Sequence, residues 1–289
     1  WLTQGPKVPA FEQAIADYCQ VSFAVAVNSA TSALHIACLA LGVGPGARVW
    51  TSPNSFVASA NSALYCGATV DFVDIELETG NMSVAALEEK LRQAQRRNQL
   101  PKVVIPVHFA GQSCDMQAIA ILAEQYGFHI IEDASHAIGA RYQNQPVGNC
   151  RYSDITVFSF HPVKIITSGE GGMATTQNPK LARKMQMLRS HGITSEATEL
   201  TEPSHGVWYY QQQLLGFNYR LTDIHAALGL SQFSKLDSFV SARQQLVEHY
   251  NQAFNRYAEI KPLSQHPDSY SSYHLYVVRL ISLTQEQHK

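Results

Sequence analysis

Short β-type runs alternate with helix-type stretches over about two hundred residues, and this alternation limits the possible folds more than any other feature of the chain. Val8–Tyr18 carries helical periodicity, and Phe23–Val27 is a short apolar run before a helical pattern over Thr31–Leu41. Arg48–Ser52, Thr69–Val73, Lys102–Val107 and Phe128–Glu132 are strand-like, with helical patterns over Phe56–Cys66, Val84–Gln95 and Met116–Tyr126 between them. Ile155–Phe160 and Gly172–Thr176 follow as strands, then a helix over Pro179–Leu188. Strands separated by helices of this length need crossover connections. The expected architecture is α/β: a mostly parallel sheet flanked by helices. Such sheets bind ligands at the carboxyl ends of their strands. Residues just after a strand are therefore the candidates for function.

From about Leu228 the pattern changes. Ile224–Phe254 reads as one long helical stretch. It divides the chain into a large domain over residues 1–230 and, over 231–289, a linking helix with the start of a smaller α+β domain. Tyr273–Ile281 is expected to be that domain's first strand. The chain opens on Trp1, and the apolar run Leu275–Ile281 lies close to its last residue, Lys289. Both ends read as cut, so the small domain is expected to be truncated.

Charged residues make up 15% of the chain, against about 25% in an ordinary soluble domain. A chain so poor in charge buries much of its surface, in a wide core or between subunits. The net charge is −2 and there is no basic stripe, which argues against nucleic acid. The one basic cluster, Lys90–Arg97, reads as the solvated face of a helix. The five cysteines are scattered and none is at Cys-x-x-Cys spacing, so neither a disulfide framework nor a metal site is expected. That usage suits a reducing cytoplasm. No apolar run reaches the roughly 18 residues that cross a membrane.

Four fragments carry chemistry. Ser159-Phe160-His161-Pro162-Val163-Lys164 places a lysine just after a strand and before the glycine turn Gly169-Glu170-Gly171-Gly172. A partly desolvated lysine there can attack a carbonyl; alone, it also reads as an ordinary surface lysine. Ile130-Ile131-Glu132-Asp133-Ala134-Ser135-His136 ends a strand in two acids, and Asp133 suits either a protonated pyridine nitrogen or a helix cap. Asn28-Ser29-Ala30-Thr31 opens a helix whose free N–H groups suit a phosphate, though Ser29 or Thr31 could simply cap it. Phe56, after Thr51-Ser52-Pro53-Asn54-Ser55, suits an aromatic stack or a place in the core. His108, His161 and His191 are more economically read as satisfied polar groups, and none is assigned a catalytic role.

Together with Gly216-Phe217-Asn218-Tyr219-Arg220-Leu221-Thr222-Asp223, these strings resemble the DegT/DnrJ/EryC family of nucleotide-sugar aminotransferases. The resemblance covers essentially the whole chain. It implies the fold-type I architecture of enzymes that use pyridoxal 5'-phosphate, with Lys164 carrying the cofactor as a Schiff base and moving the proton. It implies that Asp133 pairs with the pyridine nitrogen, that His136 lies near the ring's 3-oxygen and that Phe56 stacks on the ring. Ala30, Thr31 and Ser159 are then phosphate ligands, and Asn218 reaches the phosphate of a partner subunit, which makes a homodimer with shared active sites. The alternative for Asn218 is a turn cap before the helix that starts near Thr222. The implied substrates are glutamate and a nucleotide-linked keto sugar. Pro106-Val107-His108-Phe109-Ala110-Gly111 and the His161-Pro162-Val163-Lys164 string resemble the branch that aminates C4 of a UDP-linked 4-keto-6-deoxy-N-acetyl sugar in pseudaminic acid biosynthesis. Perosamine, bacillosamine and 4-amino-arabinose enzymes are built on the same scaffold. A dehydratase branch has His at the lysine position; Lys164 argues for amino transfer. Elimination on the same fold, or a non-catalytic binding or regulatory protein, are the rival classes.

Overall fold

Seven strands form one sheet in the order β1-β9-β8-β5-β4-β2-β3. The computed structural model describes residues 1–281. Helix α1 (Lys7–Cys19) leads to β1 (Phe23–Val27), α2 (Ala30–Ala40), β2 (Arg48–Thr51), α3 (Val57–Tyr65) and β3 (Thr69–Phe72). Helix α4 (Val84–Arg96), β4 (Val103–Ile105), α5 (Met116–Tyr126) and β5 (His129–Asp133) complete the parallel half. A small hairpin, β6 (Arg141–Tyr142) and β7 (Gln145–Pro146), precedes β8 (Ile155–Ser159), β9 (Gly172–Thr176) and α6 (Pro179–Arg189). Strand β9 runs antiparallel to both of its neighbours, and the other pairings in the sheet are parallel.

Side chains alternate across a strand, and the core follows that rule. Val25, Val27, Val49, Val103, Ile105, Ile131 and Val157 pack on one face under α2, α3 and α6. On the other face Ala24, Ala26, Phe158 and Met173 meet α1 and α7 (Asp223–Phe233), while Trp50, Val104 and Ile130 meet α4 and α5. Both faces are covered, which is why the strands read as continuous apolar runs rather than as alternating ones. Strand β4 is shorter than the run Lys102–Val107 because Pro106 has no N–H to donate. Pairing resumes at Val107, which bridges Asp133.

The C-terminal part differs from expectation in two ways. The stretch Ile224–Phe254 is two helices, α7 and α8 (Leu236–Phe254). The apolar positions keep helical phase through the junction, so their spacing hides it. At the break Ser234 Oγ donates to the carbonyl of Ser231 and Ser238 Oγ donates to that of Lys235, whose backbone sits at φ −105°, ψ −1°. Serine hydroxyls that bond back to earlier carbonyls compete with the helix ladder. Tyr273–Ile281 is not a first strand: β12 (Ile260–Pro262) and β13 (Ser269–Tyr270) precede it, and only Val278–Leu280 (β14) is extended and paired. Residues 271–275 run instead across the large sheet unit, with Ser272 N bonded to the carbonyl of Gly111. Strands of two or three residues carry too little periodicity to be found in sequence. Two further short strands, β10 (Ile193–Thr194) and β11 (Gln211–Gln212), close the base of the excursion between α6 and α7.

Candidate active site

The carboxyl ends of β5 and β8, the N-terminus of α2 and the start of α3 surround a cavity of about 300 Å³. Ala30, Thr31, Phe56, Asp133, His136, Ser159 and Lys164 all line it. Seven candidates from four separate strings thus meet at one place. Asn218, the eighth, does not: with Thr3, Arg220, Thr222 and His225 it lines a neighbouring recess of about 330 Å³, and Glu170 borders both. The N-cap of α7 is Thr222, whose side chain accepts from His225 N. Among the other histidines considered, His161 lines the cavity and His108 lies buried behind it.

Each position follows from local geometry. Ser29 caps α2 by accepting from Ser32 N, and among the described residues nothing accepts from the N–H groups of Ala30 and Thr31 at the cavity wall. Phe56 is 72% exposed, so its place is at the mouth and not in the core. Gly172 lets β9 start against the N-terminus of α2: a Cβ there would lie 2.4 Å from the Ser29 carbonyl carbon.

Asp133 is buried and fixed on every side. Ser59 Oγ donates to Oδ2 at 2.6 Å; Ser135 Oγ and N donate to Oδ1 at 2.6 and 3.1 Å. Its backbone is bonded to Pro106 O and His108 N, and Ala134 N reaches Val157 O. One residue back, on the opposite face, Glu132 accepts from Thr156 Oγ, Ser153 Oγ and His108 Nε2. Burial would raise the Glu132 carboxyl, but His108 and the two hydroxyls outweigh it and hold it below its usual value. Cys114 N donates to His108 Nδ1, so the ring proton sits on Nε2 and points at Glu132. Burial pushes the Lys164 amine below the usual lysine value, and the nearby Asp133 carboxylate works against that shift. Burial first, then the Lys164 charge, pushes His136 down to about 4.

The sequence reading missed Ser59, Ser135, Glu170 and the Glu132–His108 pair as parts of this site. The one available signal for Ser59 was a hydroxyl on the buried face of α3, a signal it shares with Ser62.

A family model described as the DegT/DnrJ/EryC1/StrS aminotransferase family matches residues 1–289. The chain belongs to this family. It is therefore a member of a group of sugar aminotransferases with the type I fold, and its cofactor is pyridoxal phosphate. The aminotransferase cavity fits that group on its own chemistry: an amine of lowered basicity, a carboxylate held by three donors, open N–H groups at a helix start, and a buried His136 Nδ1 with no partner among the described residues. Among curated relatives, GDP-perosamine synthase of Caulobacter vibrioides is 40% identical over 89% of this chain and 64% of its own. UDP-4-amino-4,6-dideoxy-N-acetyl-beta-L-altrosamine transaminase of Campylobacter jejuni is 39% identical over 96% of this chain and 70% of its own. The chain thus spans about two thirds of the length of these relatives. Among solved structures, Helicobacter pylori PseC, an aminotransferase of pseudaminic acid biosynthesis, superposes with a TM-score of 0.87 at 33% identity, over 97% of this chain and 71% of that one.

Proposed function

We propose that the chain transfers an amino group from glutamate to the C4 keto carbon of a nucleotide-linked 4-keto-6-deoxy sugar. The observation that carries this reading is the convergence of Lys164 and Asp133 in one cavity with an open helix N-terminus. When bound, pyridoxal phosphate supplies a carbonyl to accept the amino group and a protonated ring that spreads negative charge. Lys164, of lowered basicity, would take a proton from the donor's α-carbon and deliver it to the cofactor's carbon instead of back to the donor. Asp133 holds the proton on the ring nitrogen, because its carboxylate is kept oriented by Ser59 and Ser135. The N–H groups of Ala30 and Thr31, with Ser159, take the phosphate. Phe56, at the mouth of the cavity, would cover a ring face, and His136 would serve the ring oxygen.

The finer reading is a UDP-linked N-acetyl sugar in the pseudaminic acid pathway, which the Campylobacter and Helicobacter relatives support. The Caulobacter relative supports a GDP-linked substrate as the second reading. Residues 1–230 would form the cofactor domain, and 231–289 the linking helix and start of a smaller unit. Asn218 would complete the partner's site in a homodimer. Five free, buried cysteines suit a cytoplasmic enzyme. No helix among the described residues is long and apolar enough to cross a membrane.

Borohydride reduction of the holoprotein tests the central claim. It should fix the cofactor to one peptide, the one containing Lys164, and Lys164→Ala should abolish both the label and turnover. A label on any other peptide sinks the reading. Turnover of UDP-, GDP- and dTDP-linked 4-keto sugars with glutamate then decides the nucleotide.

A further inference from the structure

Two half-buried imidazole rings lie tilted against each other, one of them lining the cavity, and they come from distant parts of the chain. His136 and His274 have ring centroids 4.4 Å apart and planes 37° apart. Each has a buried Nδ1 with no hydrogen-bond partner among the described residues. We propose that His274 is a positioning residue of the active site, which holds the His136 ring in its setting and keeps it uncharged. The proposal rests on reading the cavity as the cofactor site.

The backbone around His274 is built to hold it there. Ser272 N donates to Gly111 O at 3.0 Å and Ser272 Oγ to His136 O at 3.1 Å; Leu275 N donates to Ala110 O at 3.2 Å. From α8, Arg243 Nη1 donates to the carbonyls of Tyr273 and His274 at 3.0 and 3.2 Å. Tyr273 takes a left-handed conformation (φ 47°), which a side chain of its size adopts only when its surroundings impose it. Gly111 (φ 105°) permits the close approach, since a Cβ there would lie 2.9 Å from His274 N. The segment 271–275 is thereby fastened to the turn that carries His136 and to α8.

The charges facing the pair explain what the contact does. Lys164 and Arg243 are the cations near it. Asp133 and Glu170 are the acids lining the cavity, beside His161. Asp133 is engaged by Ser59 and Ser135, and Glu170 lies 3.9 Å from His161. No carboxylate is bonded to either imidazole among the described residues. Two rings this close repel when both are charged. Burial first, then His136, Lys164 and Arg243, push His274 down to about 3. A neutral His136 keeps one N–H and one lone pair, so it meets a ring oxygen as a hydrogen-bond partner and adds no charge beside Lys164.

The test is histidine-labelled NMR of the holoenzyme as a function of pH, combined with steady-state kinetics. In His274→Ala, water reaches His136 and relieves the burial that is the largest cause of its lowered value. Its titration should rise by roughly one pH unit or more, and kcat should fall about tenfold at nearly constant KM for glutamate. His274→Phe restores a flat ring of similar size, and should keep His136 uncharged and kcat within about threefold of the parent. An unchanged His136 titration in folded His274→Ala overturns the proposal. So does a folded His274→Phe whose kcat collapses. A borohydride label away from Lys164 would instead bring down the functional reading, and leaves the His136 titration as a separate result.

Discussion

Asp133 has neither carboxylate oxygen free of protein donors, because Ser59 takes one and Ser135 the other. The Ser59 bond spans 74 residues and exists only because α3 lies over the end of β5. Removing the hydroxyl leaves a buried acceptor without its donor, at about 1–3 kcal/mol. Ser59→Ala should therefore keep the cofactor, lower kcat by roughly tenfold and move the pH midpoint of the cofactor's absorbance change, and Ser59→Thr should restore both. Asp133→Asn should cost more, roughly 10²-fold in rate, with the cofactor still retained. A Ser59→Ala enzyme with parental kcat and midpoint would show that the serine only fills space. Asp133 and Lys164 were legible in sequence because each sits in a string whose order carries the signal. Ser59 was not, since its meaning comes from a partner that only tertiary packing brings near.

Most elements through α6 begin and end within one or two residues of where hydrophobic period and capping residues place them. Ser29, Ser83, Asp115 and Asn178 cap their helices as side-chain acceptors. Beyond residue 223 the same method fails, since a continuous apolar phase conceals the break at Ser234–Lys235 and strands of two or three residues leave no period. The junction of β9 with α2 makes an element-scale prediction. At Gly172 a side chain would meet Ala30 N at 2.5 Å, backbone that cannot swing aside. Gly172→Ala should push the N-terminus of α2 away from its place at the cavity wall. We expect a lower melting temperature, from overpacking of about 1–3 kcal/mol, and weaker cofactor retention in equilibrium dialysis. Parental retention at a lowered melting temperature would show that the α2 terminus does not hold the phosphate.

Across the whole molecule, large apolar side chains lie on the outside: Phe56 and Val163 at the cavity are exposed, and so are Val57, Ile224 and Leu228. So are Val207, Trp208 and Tyr210 on the excursion between β10 and β11, whereas Tyr209 stacks on His205 within the excursion. Arg183 pins the base of that excursion through an ion pair with Glu199. Together with the position of Asn218 outside its own protomer's cavity, this supports a two-fold dimer whose seam holds both sites. Mixing inactive Lys164→Ala with inactive Asn218→Asp should recover part of the activity, because a hybrid holds one site with both native residues. Confirmed subunit exchange with no recovery would refute the shared site.

The first helix is closed by one of the last residues of the large sheet unit. Asp223 accepts from Lys7 N and Val8 N across 216 residues of chain, and Asp223 N returns a bond to Thr3 O. Strand β1 likewise has β9 as its strand partner in the sheet. On a ribosome adding roughly 5–20 residues per second, α1 therefore waits about 10 to 40 seconds for its closing residue. During that interval Phe11 and Ile15, fully buried in the finished protein, have no α7 to cover them. Until translation passes Asp223, the first N–H groups of α1 lack the carboxylate that accepts from them in the finished fold.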